Sequence, residues 1–414
     1  MPSIKLYPPE ELVETSVTLP LSKSMSARSL IIAALTPGAQ FPTEIAKCDD
    51  TDSLLAALSS PSATEVNVGA AGTTMRFLTA YYASQPGRTV TLDGSERMRR
   101  RPIGVLVDAL RQLGAEIEYT GEEGYPPLLI KGRRLKGGSI TIDASVSSQY
   151  ISALMMVAPT MTEGLKLHLE GETASRPYIL MTLGMMHDAG AEGELYRDDI
   201  TIPAGAYSRP TRPIEGDWSA AAPWYEIVAT ASWFVNFTNL TRDSVQGDKV
   251  LAELYSHTGV DTDWQGEDGG IDISANPDPD ARRSIDFSEC PDLAQCLTVT
   301  CVMLGLPFHF TGLATLAIKE TDRIEALRRE MLKIGAILTV PAPGQLEWDG
   351  RRQPVTEMPV FDTYDDHRMA MCLAPVALYI PGVTINNPEV VSKSYPGFWD
   401  ALAGAGFTIE EVVE

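Results

Sequence analysis

The stretch Asp108-Ala-Leu-Arg-Gln-Leu-Gly-Ala-Glu-Ile-Glu-Tyr119 predicts a helix that stops at a glycine and is followed at once by a strand. Glycine suits this position because it can take the left-handed conformation that closes a helix. A weaker copy of the pattern runs over 54–68. Full copies return around Gly190, Gly259, Gly335 and Gly406. A period of roughly 70 residues indicates that one supersecondary unit was used repeatedly.

Six helix-and-strand units over 414 residues divide evenly into two domains of three. The length also exceeds what a single hydrophobic core supports. The sequence therefore predicts an α/β protein of two domains. The stretch from Ile202 to Pro213 is rich in proline and glycine, so we expect the hinge between the halves there.

The composition limits the classes of ligand. A net charge of −22 argues against binding to nucleic acid or to an anionic membrane. Lysine and arginine are nevertheless concentrated in a few Ser/Gly-rich segments, which is typical of a protein that binds a small anion internally. No apolar run approaches the roughly 20 residues of a membrane span, and the N-terminal residues show no signal or transit features, so a cytoplasmic protein is expected.

The cysteines and histidines predict neither a metal site nor a disulfide. The five cysteines contain no CxxC pair, and four of them stand in apolar surroundings, which indicates reduced and mostly buried thiols. No set of histidine, cysteine and carboxylate residues has the spacing of metal ligands.

Four segments of the N-terminal half combine small or hydroxyl residues with cations or amides at a predicted helix start. Free N–H groups and the helix dipole favour an anion at such a position. Thr73 is expected to cap its helix, and Pro102 is expected in the first turn of the next. An ordinary loop is an open alternative for Val68–Arg76 taken alone. A solvated basic turn is an open alternative for Glu96–Gly104 taken alone. The segments are Leu19–Arg28, Val68–Arg76, Glu96–Gly104 and Ser145–Tyr150.

Three segments of the C-terminal half carry further charges. In the segment Ala317–Arg323, the spacing from Lys319 to Arg323 is expected to put both cations on one helix face, with Glu320 beside them. A surface salt-bridge ladder is the alternative interpretation of that segment. In the second, His367 and Arg368 precede an apolar helix. The segments are Ala317–Arg323, Tyr364–Met371 and Ser392–Pro396.

Together these segments resemble the enolpyruvyl transferase family, and specifically its branch that acts on shikimate 3-phosphate. The strings SKSMSAR, AGTTMR, RMRRRPIG, SSQY, SRPY, EGD, KETDR and DDHRMAM occur in the family's order and span nearly the whole chain. The resemblance implies two domains, each built from three βαβαββ repeats, with the active site in the cleft between them. The domains implied are 22–214, and 1–21 plus 215–414.

The resemblance also implies an activity. The enolpyruvyl group of phosphoenolpyruvate would move to the 5-hydroxyl of shikimate 3-phosphate, with release of phosphate, on the shikimate route to aromatic amino acids. No cofactor is implied, and a monomer is expected. Both substrates are multiply anionic, so several fixed cations must offset their repulsion, and arginine binds carboxylate and phosphate with defined orientation.

Site residues are implied position by position. Glu320 would donate the proton to C3 and later accept it, Asp292 would act on the 5-hydroxyl, and Lys23 would stabilise the departing phosphate. The residues implied to bind shikimate 3-phosphate are Lys23, Ser24, Arg28, Ser147, Ser148, Gln149, Ser175, Tyr178, Asp292, Thr315 and Lys319. Those implied to bind phosphoenolpyruvate are Lys23, Gly72, Arg101, Gln149, Arg323, Arg368 and Lys393.

The chain departs from the family pattern without losing a charged catalytic group. Thr315 stands where the family has an asparagine that contacts the shikimate ring, and Ala70 stands in the phosphate loop where asparagine is usual. Thr315 puts one substrate hydrogen bond in question, and Ala70 is expected to reshape the phosphate loop. The other departures are Leu21, Ala27, Phe77 and Asp365.

Two alternative functions are open from the sequence. The family branch that acts on UDP-N-acetylglucosamine carries a reactive cysteine in the loop corresponding to 92–101, where this chain has none, and that branch lacks the SSQ cluster. A catalytically silent paralogue that binds metabolites is disfavoured by the retention of Lys23, Asp292, Glu320 and the pair His367-Arg368.

Overall fold

The structure, a computed structural model of the chain, describes residues 2–145, 147–171, 175–265, 270–277 and 283–412. The chain divides into two compact units. One, here named the inserted unit, is Leu21–Ile214; the other, the flanking unit, is Met1–Pro20 with Glu215–Glu414.

Helices and strands are interspersed throughout the described residues. The α-helices are α1 (Lys23–Leu35), α2 (Asp49–Leu58), α3 (Gly72–Ala83), α4 (Gly104–Gln112), α5 (Ser148–Val157), α6 (Arg176–Asp188), α7 (Trp218–Ala231), α8 (Leu251–Ser256), α9 (Ala294–Leu304), α10 (Arg323–Lys333), α11 (His367–Leu373) and α12 (Phe398–Gly404). Short 3₁₀ turns lie at Met98–Arg100, Ala158–Thr160, Gly247–Val250, Pro291–Leu293, Ala314–Ile318, Ala374–Leu378 and Pro388–Lys393. The strands are β1 (Ser3–Tyr7), β2 (Thr15–Val17), β3 (Glu65–Asn67), β4 (Thr89–Asp93), β5 (Glu116–Tyr119), β6 (Leu128–Lys131), β7 (Gly138–Asp143), β8 (Leu165–Glu170), β9 (Glu194–Tyr196), β10 (Asp199–Ile202), β11 (Phe234–Phe237), β12 (Val260–Trp264), β13 (Ile271–Ala275), β14 (Ser284–Asp286), β15 (Phe308–Thr311), β16 (Leu346–Trp348), β17 (Val360–Phe361), β18 (Val383–Asn386) and β19 (Thr408–Glu411).

The inserted unit packs its helices on two sheets of four strands, ordered β3-β4-β6-β5 and β7-β8-β10-β9 in its described residues. Strands β7 and β8 run parallel, in register from Gly138↔Leu165 to Asp143↔Glu170. The leucines of β8 are buried and alternate with exposed residues, so only one face of this sheet packs against the core. Helix α5 is buried along nearly its whole length and contacts α1, α3, α4 and α6. The unit is therefore organised around α5.

Across its described residues, the flanking unit contains three sheets, ordered β17-β18-β1-β19, β12-β13-β11-β2 and β14-β15-β16. Strand β1 lies between β18 and β19, and β2 pairs in parallel with β11. The chain therefore leaves this unit after Pro20 and rejoins it at Glu215. Helices α7, α9 and α11 pack against one another and are buried over most of their residues. The two mixed units confirm the predicted α/β fold.

The glycine-closed repeat is present at four of its five full copies. A glycine with positive φ separates a helix from a strand at Gly114, Gly190, Gly259 and Gly406. Gly335 also has a positive φ of 86° and follows α10, but the next residues form only two isolated bridges. The strand predicted to reach Val340 is therefore wrong. Pro341 and Pro343 follow it, and proline has no N–H to extend a ladder.

The predicted hinge belongs to the inserted unit. Within Ile202–Pro213, Tyr207 is buried and donates its hydroxyl to the Met156 carbonyl at 2.8 Å. The Thr211 hydroxyl lies 2.7 Å from that of Ser29 in α1. These contacts fix the stretch to the helices of the unit, so proline and glycine here shape a packed loop and the hinge prediction is wrong.

Two global predictions concern membranes and thiols. None of the helices in the described ranges is both long and apolar enough to cross a membrane. All five cysteines are free thiols and are buried, as the apolar surroundings of most of them predicted.

Candidate active site

Four helices of the inserted unit begin at or beside residues predicted to bind anions. Helix α1 begins at Lys23, α3 at Gly72 and α5 at Ser148, and Ser175 directly precedes α6. The first N–H groups of a helix have no partner within it, and the positive end of the helix dipole lies there. These residues are named the helix-start set, which also includes Ser24, Arg28, Arg101, Ser147, Gln149 and Tyr178.

Arg28 connects three of these helices. Its Nε donates to Thr182 Oγ1 of α6 at 2.7 Å, and its Nη2 donates to Ser152 Oγ of α5 at 3.1 Å. Its Nη1 donates to the carbonyl oxygen of Ser24 in α1 at 2.8 Å. The sequence predicted Arg28 as a ligand residue but gave no indication of Thr182 or Ser152, which lie more than a hundred residues away.

The Arg28 guanidinium is a buried cation with neutral partners. The residue is 2% exposed, and burial lowers its pKa to about 10. The rings of Phe77 and Tyr178 lie 5.4 and 5.8 Å from the guanidinium carbon. No carboxylate in the described ranges forms an ion pair with Arg28 in this arrangement. A buried charge without a counter-ion is costly, and an anionic ligand would offset that cost.

Gly72 lets two guanidinium groups approach the first turn of α3. A Cβ at this position would lie 2.6 Å from Nη1 of Arg101 and 2.7 Å from Nη1 of Arg76. The Arg76 Nη1 donates to the Gly72 carbonyl at 2.8 Å. The Nε of Arg101 is buried and has no hydrogen-bond partner among the described residues. Gly72 and Arg101 therefore lie together, and Arg76, which the sequence analysis did not select, lies with them.

The basic segment before α4 divides into surface pairs and one inward arginine. Arg99 pairs with Asp93, and Arg100 pairs with Glu96, both on the surface. Arg101, in contrast, lies beside Gly72. The expectation that Pro102 occupies the first helical turn is wrong, because α4 begins two residues later.

The serine segment connects α5 to α3. Ser147 is the N-cap of α5, and its hydroxyl accepts from the Gln149 N–H at 3.2 Å. The Gln149 Nε2 donates to Thr73 Oγ1 at 3.1 Å. Thr73 does not cap α3 as predicted, because the helix already includes Gly72 and its N-cap residue is Ala71.

Lys23 and Ser175 complete the helix-start set. The Lys23 Nζ lies 3.4 Å from Asp50 Oδ2, a carboxylate that the sequence analysis did not select. Ser175 is buried and has a left-handed backbone, with φ of 56°, at the N-cap position of α6. Such a conformation is uncommon for a residue other than glycine and occurs often at ligand sites.

The flanking unit contains a second group, centred on Arg323. This side chain is almost fully buried and bonds to three carboxylates: Asp366 at 2.6 Å, Asp292 at 2.7 Å and Glu320 at 2.9 Å. Burial by itself would lower the pKa of Arg323, but the three carboxylates outweigh it and raise that pKa. We name this group the ion-pair set, which also includes Lys319, Arg368 and Lys393.

Asp292 contacts three cations. Besides Arg323, its carboxylate lies 3.4 Å from the Lys319 Nζ and 3.5 Å from the Arg368 Nη2. The Arg368 Nη1 also donates to the Asp292 carbonyl at 3.1 Å. Burial would raise the pKa of Asp292, but Lys319, Arg368 and Arg323 hold it well below its ordinary range. Asp292 is therefore a carboxylate anion at neutral pH.

Glu320 lies between two cations. Its Oε2 accepts from Arg323, and its Oε1 lies 2.5 Å from the Lys393 Nζ. Lys393 is carried by the 3₁₀ turn Pro388–Lys393, which packs against α11. The two predicted catalytic carboxylates thus share Arg323 and differ in their other partners.

Lys319 and Glu320 reach this group from outside the helix. Asp322 is the N-cap of α10, since its Oδ1 accepts from the Glu325 N–H at 3.1 Å, and the helix begins only at Arg323. The predicted arrangement of Lys319 and Arg323 on one helix face is therefore wrong. The two cations come together because both contact Asp292.

Thr315, the departure at the shikimate position, lies in the turn Ala314–Ile318, which packs against the turn that carries Asp292. Its hydroxyl oxygen is buried and has no hydrogen-bond partner among the described residues. The group can therefore donate to a ligand, although its reach is shorter than that of asparagine.

Asp366 belongs to the ion-pair set although it was not predicted as a site residue. Asp366 caps α11 by accepting from the Arg368 N–H at 2.9 Å, and its carboxylate also bonds to Arg323. An aspartate just before an apolar helix is a capping signal. Its second role depends on a partner 43 positions away, which no local pattern shows.

The structure thus brings the predicted residues together in two groups, one within each unit. Known proteins resemble this chain in sequence and in fold. The family model of EPSP synthase (3-phosphoshikimate 1-carboxyvinyltransferase) matches residues 57–402. In Bacteroides fragilis, a 3-phosphoshikimate 1-carboxyvinyltransferase is 48% identical over 400 residues, which cover 96% of this chain and 97% of that protein.

A more distant relative has the same name, and a solved structure has the same fold. A 3-phosphoshikimate 1-carboxyvinyltransferase of Sulfurovum sp. is 36% identical, covering 97% of this chain and 99% of the relative. An EPSP synthase structure from Acinetobacter baumannii covers 100% of both chains with a TM-score of 0.79 at 21% identity, which supports the fold. The chain therefore belongs to the EPSP synthase (3-phosphoshikimate 1-carboxyvinyltransferase) family.

Proposed function

We propose that the helix-start set and the ion-pair set act on one pair of substrates, phosphoenolpyruvate and shikimate 3-phosphate, and that their residues take the roles inferred from the sequence. As a transferase of its family, the enzyme moves the enolpyruvyl group to the 5-hydroxyl of shikimate 3-phosphate and releases phosphate. The observation that carries the proposal is that Asp292 and Glu320 both form an ion pair with the buried Arg323.

Arg28 and the serines of the helix-start set would bind shikimate 3-phosphate. The phosphate would lie against Ser147, Ser148, Gln149 and Ser175, where hydroxyl, amide and backbone N–H groups are available. Arg28, whose hydrogen-bond partners among the described residues are all neutral, would supply positive charge behind them. Tyr178 would lie beside the ring of the ligand, with Ser24 and Thr315 as further hydrogen-bonding groups.

Phosphoenolpyruvate would be bound by cations from both sets. Arg101 beside Gly72 would hold one anionic group, and Arg323, Arg368 and Lys393 would hold the others, with Gln149 as a further donor. Lys23 would lie at the bridging oxygen and stabilise the phosphate as it leaves. A fixed set of cations offsets the repulsion between two anionic substrates and orients them for reaction.

Asp292 would accept the proton of the 5-hydroxyl. In the free protein its three cations make it a weak base. An anionic substrate that draws Arg368 and Lys319 toward itself would weaken those contacts and so raise the proton affinity of Asp292. The base would thus become stronger when the substrate is bound.

Glu320 would donate the proton to C3 of phosphoenolpyruvate as the hydroxyl attacks C2. When the tetrahedral intermediate collapses, Glu320 would take a proton back from the same carbon as the C–O bond to phosphate breaks, and the phosphate would leave with the proton that Asp292 took from the 5-hydroxyl. Lys393, at 2.5 Å, would hold the carboxyl group in place during both transfers.

The assay that tests this function measures phosphate release with each substrate alone and with both together. We expect release only with both. UDP-N-acetylglucosamine in place of shikimate 3-phosphate should give none, which would exclude the other branch of the family. Binding of both substrates without release of phosphate would mean that the chain is a silent paralogue.

Substituting Gly72 by alanine is expected to raise the KM for phosphoenolpyruvate roughly tenfold or more while the KM for shikimate 3-phosphate changes little. The new Cβ would displace the Arg101 guanidinium, and small displacements of a positioning group have large effects on rate. The control is Gly205→Ala in the same unit, where a Cβ meets nothing within 4 Å. Unchanged kinetics in Gly72→Ala would remove Arg101 from the phosphoenolpyruvate site.

We also propose that the enzyme is a monomer, since one chain carries both sets. Light scattering over a range of concentrations tests this. Its cytoplasmic location stays a prediction from the sequence.

A further inference from the structure

The four-residue turn that leads into α11 has an uncommon backbone. It spans residues 363–366, here named the left-handed turn, and a hydrogen bond of 2.9 Å from the Asp366 N–H to the Thr363 carbonyl closes it. Both central residues are left-handed, with φ of 54° at Tyr364 and 55° at Asp365. Positive φ at both central positions is typical of a type I′ turn, where glycine, asparagine and aspartate are usual and a bulky side chain is rare. A tyrosine keeps such a conformation only where its surroundings fix it.

Glu330 of α10 fixes this turn from the interior, and the mechanism above gives it no role. Its side chain is fully buried. Its Oε1 accepts from the Tyr364 hydroxyl at 2.6 Å, and its Oε2 accepts from the Asp362 N–H at 3.0 Å. The Lys333 Nζ lies 2.8 Å from the same Oε2. These partners are all hydrogen-bond donors, as a buried carboxylate requires.

Asn387 attaches the other side of the left-handed turn to the end of β18. Its Nδ2 donates to Asp365 Oδ1 at 2.8 Å. Its carbonyl accepts from the Thr363 hydroxyl at 3.4 Å. Asn387 directly precedes the 3₁₀ turn Pro388–Lys393. The left-handed turn is therefore fixed both to α10 and to the segment that carries Lys393.

The left-handed turn places two members of the ion-pair set. Its last residue, Asp366, bonds to Arg323 at 2.6 Å and caps α11 by accepting from the Arg368 N–H at 2.9 Å. The Arg368 side chain in turn donates to the Asp292 carbonyl at 3.1 Å. Helix α10 begins at Arg323 and carries Glu330 seven residues later. One helix therefore holds both the central cation of the set and the carboxylate that fixes the turn.

We propose that Glu330 is a positioning residue for the reaction: by holding the left-handed turn, it sets where Arg368 lies and so how well phosphoenolpyruvate is bound. Glu330 itself would touch neither substrate. A displacement of about 1 Å in a binding group can cost up to about 10²-fold in rate, so a distant contact of this kind matters to the chemistry. The inference rests on the proposed function, because it assumes that Arg368 binds phosphoenolpyruvate.

Steady-state kinetics of Tyr364→Phe test the proposal, because this change removes only the hydroxyl that bonds to Glu330. We expect the KM for phosphoenolpyruvate to rise roughly fivefold or more while the KM for shikimate 3-phosphate changes less than about twofold. Glu330→Gln should have an equal or larger effect, because its amide would place a donor against groups that are themselves donors. The double variant should lose little more than Glu330→Gln alone, since both changes act through one contact.

Tyr255→Phe is the matched control. It also removes a buried tyrosine hydroxyl from the flanking unit, one that lies 2.9 Å from Thr300 Oγ1 and joins α8 to α9. It should lower the unfolding temperature and leave both KM values unchanged. A merely structural role of Glu330 would give Tyr364→Phe and Glu330→Gln this same result.

The contrary results are distinct. An unchanged KM for phosphoenolpyruvate in Tyr364→Phe would overturn this proposal alone, even if Glu330→Gln does not fold. An equal rise in Tyr255→Phe would also overturn it, because the rise would then follow from lost stability, and so would fully additive losses in the double variant. A wild type that releases no phosphate with both substrates present would overturn the proposed function together with this inference.

Discussion

Substituting Glu320 by glutamine is expected to lower the turnover of phosphoenolpyruvate and shikimate 3-phosphate roughly 10²–10⁴-fold, the usual loss for a general acid. The amide keeps the size of the side chain and its hydrogen bonds to Arg323 and Lys393 in part, so folding and much of the binding should persist. An amide cannot deliver a proton to carbon. Steady-state kinetics measure the loss of turnover.

Exchange of deuterium from solvent into the methylene of phosphoenolpyruvate reports the proton transfer itself and should fall in parallel. Glu325→Gln is the matched control, because Glu325 lies on α10 and pairs with Arg328 and Arg329 near the surface. It should leave both rates unchanged. Exchange near the wild-type rate in Glu320→Gln would mean that another group protonates C3.

Substituting Arg323 by methionine is expected to destabilise the flanking unit by about 3–5 kcal/mol, the range for breaking a buried ion pair by removing one partner. Three carboxylates would lose their shared cation, and methionine offers no hydrogen bond to any of them. For a unit of this size, thermal unfolding should move down by roughly 10 °C.

The loss should depend on pH. The depressed pKa of Asp292 means that its ion pairs stabilise the folded state above its ordinary pKa and lose that effect as pH falls. The difference between wild type and Arg323→Met should therefore be largest near pH 7 and smaller in acid. Arg329→Met, which breaks an exposed pair on the same helix, should cost about 1 kcal/mol or less. Equal losses in the two variants would show that the ion-pair set does not stabilise the fold.

Local rules predicted much of the fold. The helix-to-strand switch at Gly114 follows from the conformation that glycine allows, and the structure confirms it. The strand after Gly335 failed because strand formation depends on a partner and on uninterrupted N–H groups, which Pro341 and Pro343 do not provide. The stretch Ile202–Pro213 failed as a hinge because buried Tyr207 fixes it to the inserted unit.

In the candidate site, too, local sequence predicted some features, and others depend on partners that are distant in sequence. The resemblance implied roles for Arg323, Asp292 and Glu320, but the helix face predicted to be shared by Lys319 and Arg323 was wrong, because Asp322 caps α10 and the helix begins only at Arg323. Their meeting depends on the turn Pro291–Leu293, which is distant in sequence from α10. No sequence pattern predicted Asp366 for the same reason, because it bonds to Arg323, a partner that only the fold brings near.

The central claim is that the enzyme breaks the C–O bond of phosphoenolpyruvate and forms a new C–O bond to shikimate 3-phosphate. Phosphoenolpyruvate labelled with ¹⁸O in the bridge between carbon and phosphorus tests it most directly. We predict that the label leaves in the released phosphate and that the shikimate product carries an enolpyruvyl ether at its 5-oxygen, both read by mass spectrometry. Unlabelled phosphate with pyruvate as the other product would mean cleavage between phosphorus and oxygen, and would contradict the account.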